Sequence, residues 1–160
     1  MLEPIVRSIE VPCNQATAFR IFAEEAGSWW PLARFTQSAM SGSSAQNVVI
    51  EPISGGDVYE VTPDGAKVSW GKVEQYDPPN LLSMQFHIPL PKERIRERSI
   101  VTVNFEPVSP NRTKVTLIQT NWEAFGKRGS MLHGGYGLGW AHIFEECYAQ
   151  ACALSDNQQN

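Results

Sequence analysis

Acid–base or metal chemistry in this chain would fall to three histidines, His87, His133 and His142, and three cysteines, Cys13, Cys147 and Cys152. A protein metal site needs ligands at set spacings, such as His-Glu-x-x-His on one helix face, and no pair of these residues provides one. His87 is out of phase with Met84 and Phe86 on an alternating run, which predicts a solvent-facing imidazole. His142 stands beside Glu145 and Glu146 on the polar side of a helical pattern, and His133 lies in a glycine-rich approach to it. An odd number of cysteines without metal-ligand spacing reads as reduced thiols. No serine or cysteine sits in an elbow or triad pattern. The expectation is no metal, no cofactor and no assignable catalytic residue, which leans against an enzyme.

Polar recognition groups are scarcer still. Gln119 continues the inward phase of Val115 and Leu117, where an amide without a partner costs roughly 1–3 kcal/mol. It is a candidate anchor for a ligand, or it bonds to backbone or water at the sheet margin; Asn121 follows in the same phase, nearer the mouth. The run Lys92-Glu93-Arg94-Ile95-Arg96-Glu97-Arg98 would stack like charges four apart if helical, so it reads as extended with its basic side chains on one side. That suits an anionic headgroup, but a solvated edge that discourages aggregation is the preferred reading. The glycine run Gly134–Gly139 lacks both the Lys-Ser/Thr ending of a phosphate loop and the spacing of a dinucleotide fingerprint. Its glycines let backbone pass close to bulky neighbours such as Trp122, with a flexing gate to a pocket as the second reading.

These side chains need elements to hold them. With 160 residues, 42% hydrophobic and 19% charged, the chain has globular composition and is large enough to bury a core without disulfide or metal staples. One domain over residues 1–160 is expected, with a core over 3–154 and a polar, fraying tail over 155–160. The net charge of −4 argues against a nucleic-acid partner. No apolar run approaches the roughly 18 residues of a membrane span, and no basic-then-apolar leader is visible, so a cytoplasmic location is expected. A homodimer is left open.

The first strand falls in residues 3–11, followed by a helix that Cys13 or Asn14 starts and Gly27 stops. Trp29-Trp30-Pro31-Leu32 reads as a second short helix pinned by its indoles, and 36–46 as a polar loop. Six further strands are predicted at 47–53, 57–62, 66–76, 81–88, 99–108 and 113–122. They are joined by turn signals, of which Asp64-Gly65 is the strongest; Asn111-Arg112 marks the last hairpin. Residues 133–154 then become helical after the glycines, with Trp140, Phe144, Cys147 and Ala151 on one stripe.

The fold class is therefore α+β: a seven-stranded, curved antiparallel sheet wrapped around a long C-terminal helix, with two short helices after the first strand. Seven twisted strands curl, and one helix does not fill their concave side. Trp30, Trp70, Met84, Phe86, Phe105, Trp140 and Phe144, with Gln119 as the polar anchor, are the candidate walls of a cavity there. The same aromatics could instead fill the core, and the face used by Trp70 is open because its strand alternates poorly.

The order of elements, with Trp29-Trp30-Pro31, Gly55-Gly56-x-x-Tyr59-Glu60, Trp70-Gly71-x-Val73, Asp77-Pro78-Pro79, Val115-Thr116-Leu117 and Gly139-Trp140, resembles the SRPBCC, START-like helix-grip superfamily. Within it the chain is similar to the branch named after the C-terminal domain of the activator of the heat-shock chaperone ATPase. The resemblance covers residues 3 to about 154 and implies a binding protein for a small hydrophobic or amphipathic ligand. It also leaves two other readings, a cyclase or dehydratase acting on a polyketide-like substrate and a chaperone-partner module. Gln119 and Asn121 depart from the His or Ser that relatives carry near this position, which removes one inherited source of pocket chemistry.

Overall fold

The computed structural model describes residues 2–93 and 97–158. Strand β1 (Ile5–Val11) leads into α1 (Gln15–Glu24), α2 (Ala26–Trp29) and α3 (Gln37–Met40). Six strands follow, β2 (Asn47–Ile50), β3 (Asp57–Val61), β4 (Lys67–Asp77), β5 (Leu81–Phe86), β6 (Ser99–Ser109) and β7 (Arg112–Thr120). Every neighbouring pair is antiparallel, in the order β1-β7-β6-β5-β4-β3-β2, so the first strand closes onto the last.

Local chemistry sets the element ends. Asn14 Oδ1 accepts the Thr17 N–H at 2.8 Å and caps α1. Thr36 Oγ1 does the same for α3 through the Ala39 N–H, so the expected polar loop contains one helical turn. Gly65 takes φ +89° in the β3–β4 hairpin, a conformation that glycine adopts without Cβ strain. The short second helix lies at 26–29, ahead of the second indole, because Pro31 cannot continue it.

The C-terminal helix is longer than its apolar stripe suggests. 3₁₀ backbone over Trp122–Arg128, kinked at Gly126 where φ is +57°, leads into α4 (Gly129–His142), a π turn over Ile143–Tyr148 and α5 (Ala149–Gln158). The glycine run thus lies within the helix and not before it. Neighbouring helical turns supply what glycine's weak propensity withholds, and helical backbone continues through the expected fraying tail to Gln158. Trp140, Phe144, Tyr148 and Cys152 lie buried along one side of this helix, facing the concave sheet.

Trp70 points inward and is fully buried. Its strand loses strict alternation because β4 shifts register against both β3 and β5, and Trp70 and Gly71 are buried in succession. A Cβ on Gly71 would stand 1.8 Å from the Gln85 carbonyl oxygen, so the bulge needs glycine.

Candidate functional site

The eight residues expected to wall a cavity are all buried, and most of them pack on one another. Trp30 contacts the rings of Trp70, Phe86 and Trp140 with centroids 5.2, 6.2 and 5.9 Å away. Phe86 adds Trp70 and Trp140, while Phe105 and Phe144 meet Phe22 further along. Met84 belongs to the same core. Gln119 is fully buried with both ends of its amide engaged inside the protein. Its Nε2 donates to Ser99 Oγ at 2.9 Å, and its Oε1 accepts the Trp140 indole N–H at 2.7 Å. Asn121 holds a left-handed φ of 69° after β7 and donates to the Arg98 carbonyl.

An apolar cavity of about 290 Å³ lies beside this cluster, between the segment at Arg34–Phe35, the end of β5 and α4. On the helix its wall is the stripe Arg128, Leu132, Gly135, Gly139 and Ile143, spaced three and four apart so that they share a face. Gly135 and Gly139 have no side chains: the space in front of Gly135 is left to the cavity, and at Gly139 the Phe35 ring packs where a side chain would stand, 3.5 Å from a Cβ placed there. A Cβ on Gly135 would meet no atom within 4 Å. Met40, Leu90 and Met131 surround the mouth and are exposed.

The polar end of the cavity is His87, which the strand phase assigned to solvent and which is 1% exposed. Alternation stops with β5 at Phe86, and the chain beyond it is covered by the 3₁₀ turn, whose Phe125 ring lies 4.9 Å from the imidazole. A run of hydrogen bonds fixes the protons. The Ile88 N–H donates to Tyr136 Oη at 2.8 Å, and the same oxygen lies 2.9 Å from His87 Nδ1. His87 Nε2 faces Glu93 Oε1 at 3.3 Å, an acceptor that calls for Nε2–H and leaves Nδ1 of a neutral ring to accept the Tyr136 O–H. The same oxygen accepts from Arg128 at 2.5 Å, and the Leu90 N–H donates to Glu93 Oε2 at 2.5 Å.

Electrostatics agree with this assignment. Burial pushes His87 below its ordinary value, outweighing the pull of the Glu93 carboxylate. Burial also works to raise Glu93, but the Leu90 N–H, His87 and Arg128 outweigh it and hold the carboxyl below its usual range. Tyr136 is pushed well above 10 by burial and keeps its proton. The site therefore holds a neutral imidazole, a neutral phenol and an ionised carboxylate in one chain. Also lining the cavity, the Arg34 guanidinium lies 5.2 Å over the Phe35 ring, and no carboxylate ion-pairs with it among the described residues.

Sequence reasoning missed Tyr136, Arg128, Gly135 and Gly139 as site residues. The three-and-four spacing of the glycines was the available signal, once they are placed inside a helix. Of the basic run, Arg94 and Arg96 lie outside the described residues, whereas the Glu93 side chain turns inward and is 6% exposed. His133 and His142 stay outside this chain of bonds, with His133 facing the Glu3 carbonyl and His142 facing Glu146.

No family model and no curated protein matches the sequence. Solved structures do match its fold. CalC from Micromonospora echinospora, described as a self-sacrificing resistance protein, superimposes at TM-score 0.68 with 22% identity, covering 95% of each chain. A protein from Arthrobacter aurescens superimposes at 0.65 with 18% identity, over 94% of this chain and 86% of that one. The anthrahydroquino-gama-pyrone synthase Txn09, solved in complex with SUM, gives 0.57 with 24% identity over 82% and 85%. The chain has the helix-grip fold: a curved seven-stranded antiparallel sheet closed by a long C-terminal helix.

Proposed function

We propose that this protein binds a small hydrophobic or amphipathic molecule in the cavity between the Arg34–Phe35 segment, the end of β5 and α4. The observation that carries the reading is the pair Gly135 and Gly139, one helical turn apart on the cavity wall, with Gly135 exposed and open space in front of it while Gly139 lets the Phe35 ring pack against the helix. A helix that served packing alone would gain roughly 0.5–1 kcal/mol from a larger residue at such a position. Apolar walls supply affinity through burial, and the few polar groups at the ends orient the ligand. In this reading Trp30, Trp70, Phe86, Trp140 and Gln119 are the rigid backing of the site, which keeps its shape without ligand. Txn09, with the same fold, is described as a synthase and was solved in complex with SUM, which agrees with a binding role for the fold.

Tyr136 Oη keeps one free acceptor position and the cationic Arg34 also lines the cavity, which favours an apolar ring system with a polar or anionic substituent. Calorimetric titration with 2-naphthoate tests this, using wild type and Gly135→Leu. Saturable binding by the wild type that the leucine variant loses by tenfold or more is expected. Equal binding by both proteins would place the ligand elsewhere.

A further inference from the structure

We propose that the chain Tyr136–His87–Glu93 is a proton relay, and that the pocket catalyses keto–enol proton transfer on an apolar carbonyl compound. The inference rests on the cavity reading above and adds an activity to it. Its basis is the direction of the hydrogen bonds. Because the Glu93 carboxylate faces His87 Nε2, the neutral ring carries its proton there and Nδ1 accepts the Tyr136 O–H; the Ile88 N–H occupies one lone pair of Tyr136 Oη, and one is left over. Tyr136 and His87 both line the cavity. A carbon acid bound there meets an oxygen that can accept a proton only by passing its own to the imidazole.

The step balances without a co-reactant. The substrate C–H proton moves to Tyr136 Oη as the Tyr136 O–H proton moves to His87 Nδ1. The electron pair of the broken C–H bond passes into the enolate, and the carbonyl oxygen takes the negative charge. Tyr136 is neutral before and after, as a buried phenol must be. The positive charge ends on His87, whose Nε2–H faces the ionised Glu93 at 3.3 Å. Return of the proton to the enolate oxygen gives the enol, and return to carbon restores the ketone. The Arg34 guanidinium, which also lines the cavity and has no carboxylate partner among the described residues, matches the charge developing on that oxygen. Glu93 touches no substrate; it is a positioning residue that fixes the imidazole tautomer and is itself held by Arg128 and the Leu90 N–H.

The probe is benzoylacetone (1-phenyl-1,3-butanedione), with deuterium exchange at its central carbon followed by NMR in buffered D2O and its binding measured by calorimetry. Wild type is expected to accelerate exchange roughly 100-fold or more over Tyr136→Phe and His87→Gln, the range of positioned acid–base catalysis. The pH midpoint of exchange reports His87 in the presence of its charged neighbours Glu93, Arg98 and Arg128. Glu93→Gln removes the carboxylate that favours the imidazolium, so the midpoint moves to lower pH, which a merely structural Glu93 would not cause. Nitrogen-15 NMR of wild type should show His87 neutral at pH 7 with Nδ1 bare and Nε2 protonated. The opposite tautomer overturns the relay. Binding without faster exchange than in either variant overturns it too and leaves the cavity reading standing. Absence of binding removes the cavity reading and the relay with it.

Discussion

The Trp140 indole N–H donates to Gln119 Oε1 at 2.7 Å, and the other end of that amide donates to Ser99 Oγ at 2.9 Å. The grip between helix and sheet is thus a buried polar joint set among aromatic rings. Gln119→Leu leaves the indole N–H and the Ser99 hydroxyl to find new partners in an apolar interior. A loss of about 1–3 kcal/mol of stability is expected by denaturant titration. No loss would mean that the joint is not a net stabiliser.

Glu60 makes a second buried joint. Its carboxylate is fully buried and accepts from the Gln37 N–H, the Ser38 N–H, the Ser38 hydroxyl and the Trp70 indole N–H. It ties the start of α3 to β4 and so holds the segment that borders the cavity. Glu60→Ala orphans all of these donors and should cost about 3 kcal/mol or more, measured as a shift in the urea midpoint at constant slope.

His87 gives the protein a specific acid sensitivity. Its value is depressed in the folded state, so between that value and the ordinary 6.5 the unfolded chain binds more protons than the native one. Stability is then fully present above about pH 6.5 and falls as pH drops from there toward the folded value. The facing groups are Tyr136, Glu93, Arg98 and Arg128. In Tm against pH, His87→Gln should lack this part of the decline, which its carboxylates do not cause until lower pH. Parallel curves for the two proteins would contradict it.

Filling the cavity should stabilise the empty protein. Gly135 has ordinary helical geometry and no atom within 4 Å of a built Cβ. Gly135→Leu gains helix propensity of roughly 0.5–1 kcal/mol and places apolar surface toward Leu132, three residues back on the same face. A raised Tm together with lost 2-naphthoate binding is expected. A lowered Tm would mean that the space does not exist in solution.

The sheet and the inward stripe of the last helix were legible because alternation and three-and-four spacing hold wherever an element is regular. Val101, Val103 and Phe105 on β6, and Val115 and Leu117 on β7, are buried as their phase requires. Legibility failed where regularity ends. Trp70 sits at a register shift, and His87 lies one residue past a strand end, where phase carries no information. Glu93 looked like part of a charged edge because a sequence does not show that His87 and Arg128 come to meet it. The glycines of α4 read as a break, since propensity opposes a helix there and only tertiary packing restores it.

The central claim is that the space in front of Gly135 is a ligand site, and amide NMR of the labelled protein during a 2-naphthoate titration tests it most directly. Saturable shifts centred on the amides of Gly135, Tyr136, Gly139 and Ile143, with smaller ones at Phe35 and Ile88, are the predicted result. Shifts that fail to saturate, or that cluster away from α4 and the end of β5, would contradict it.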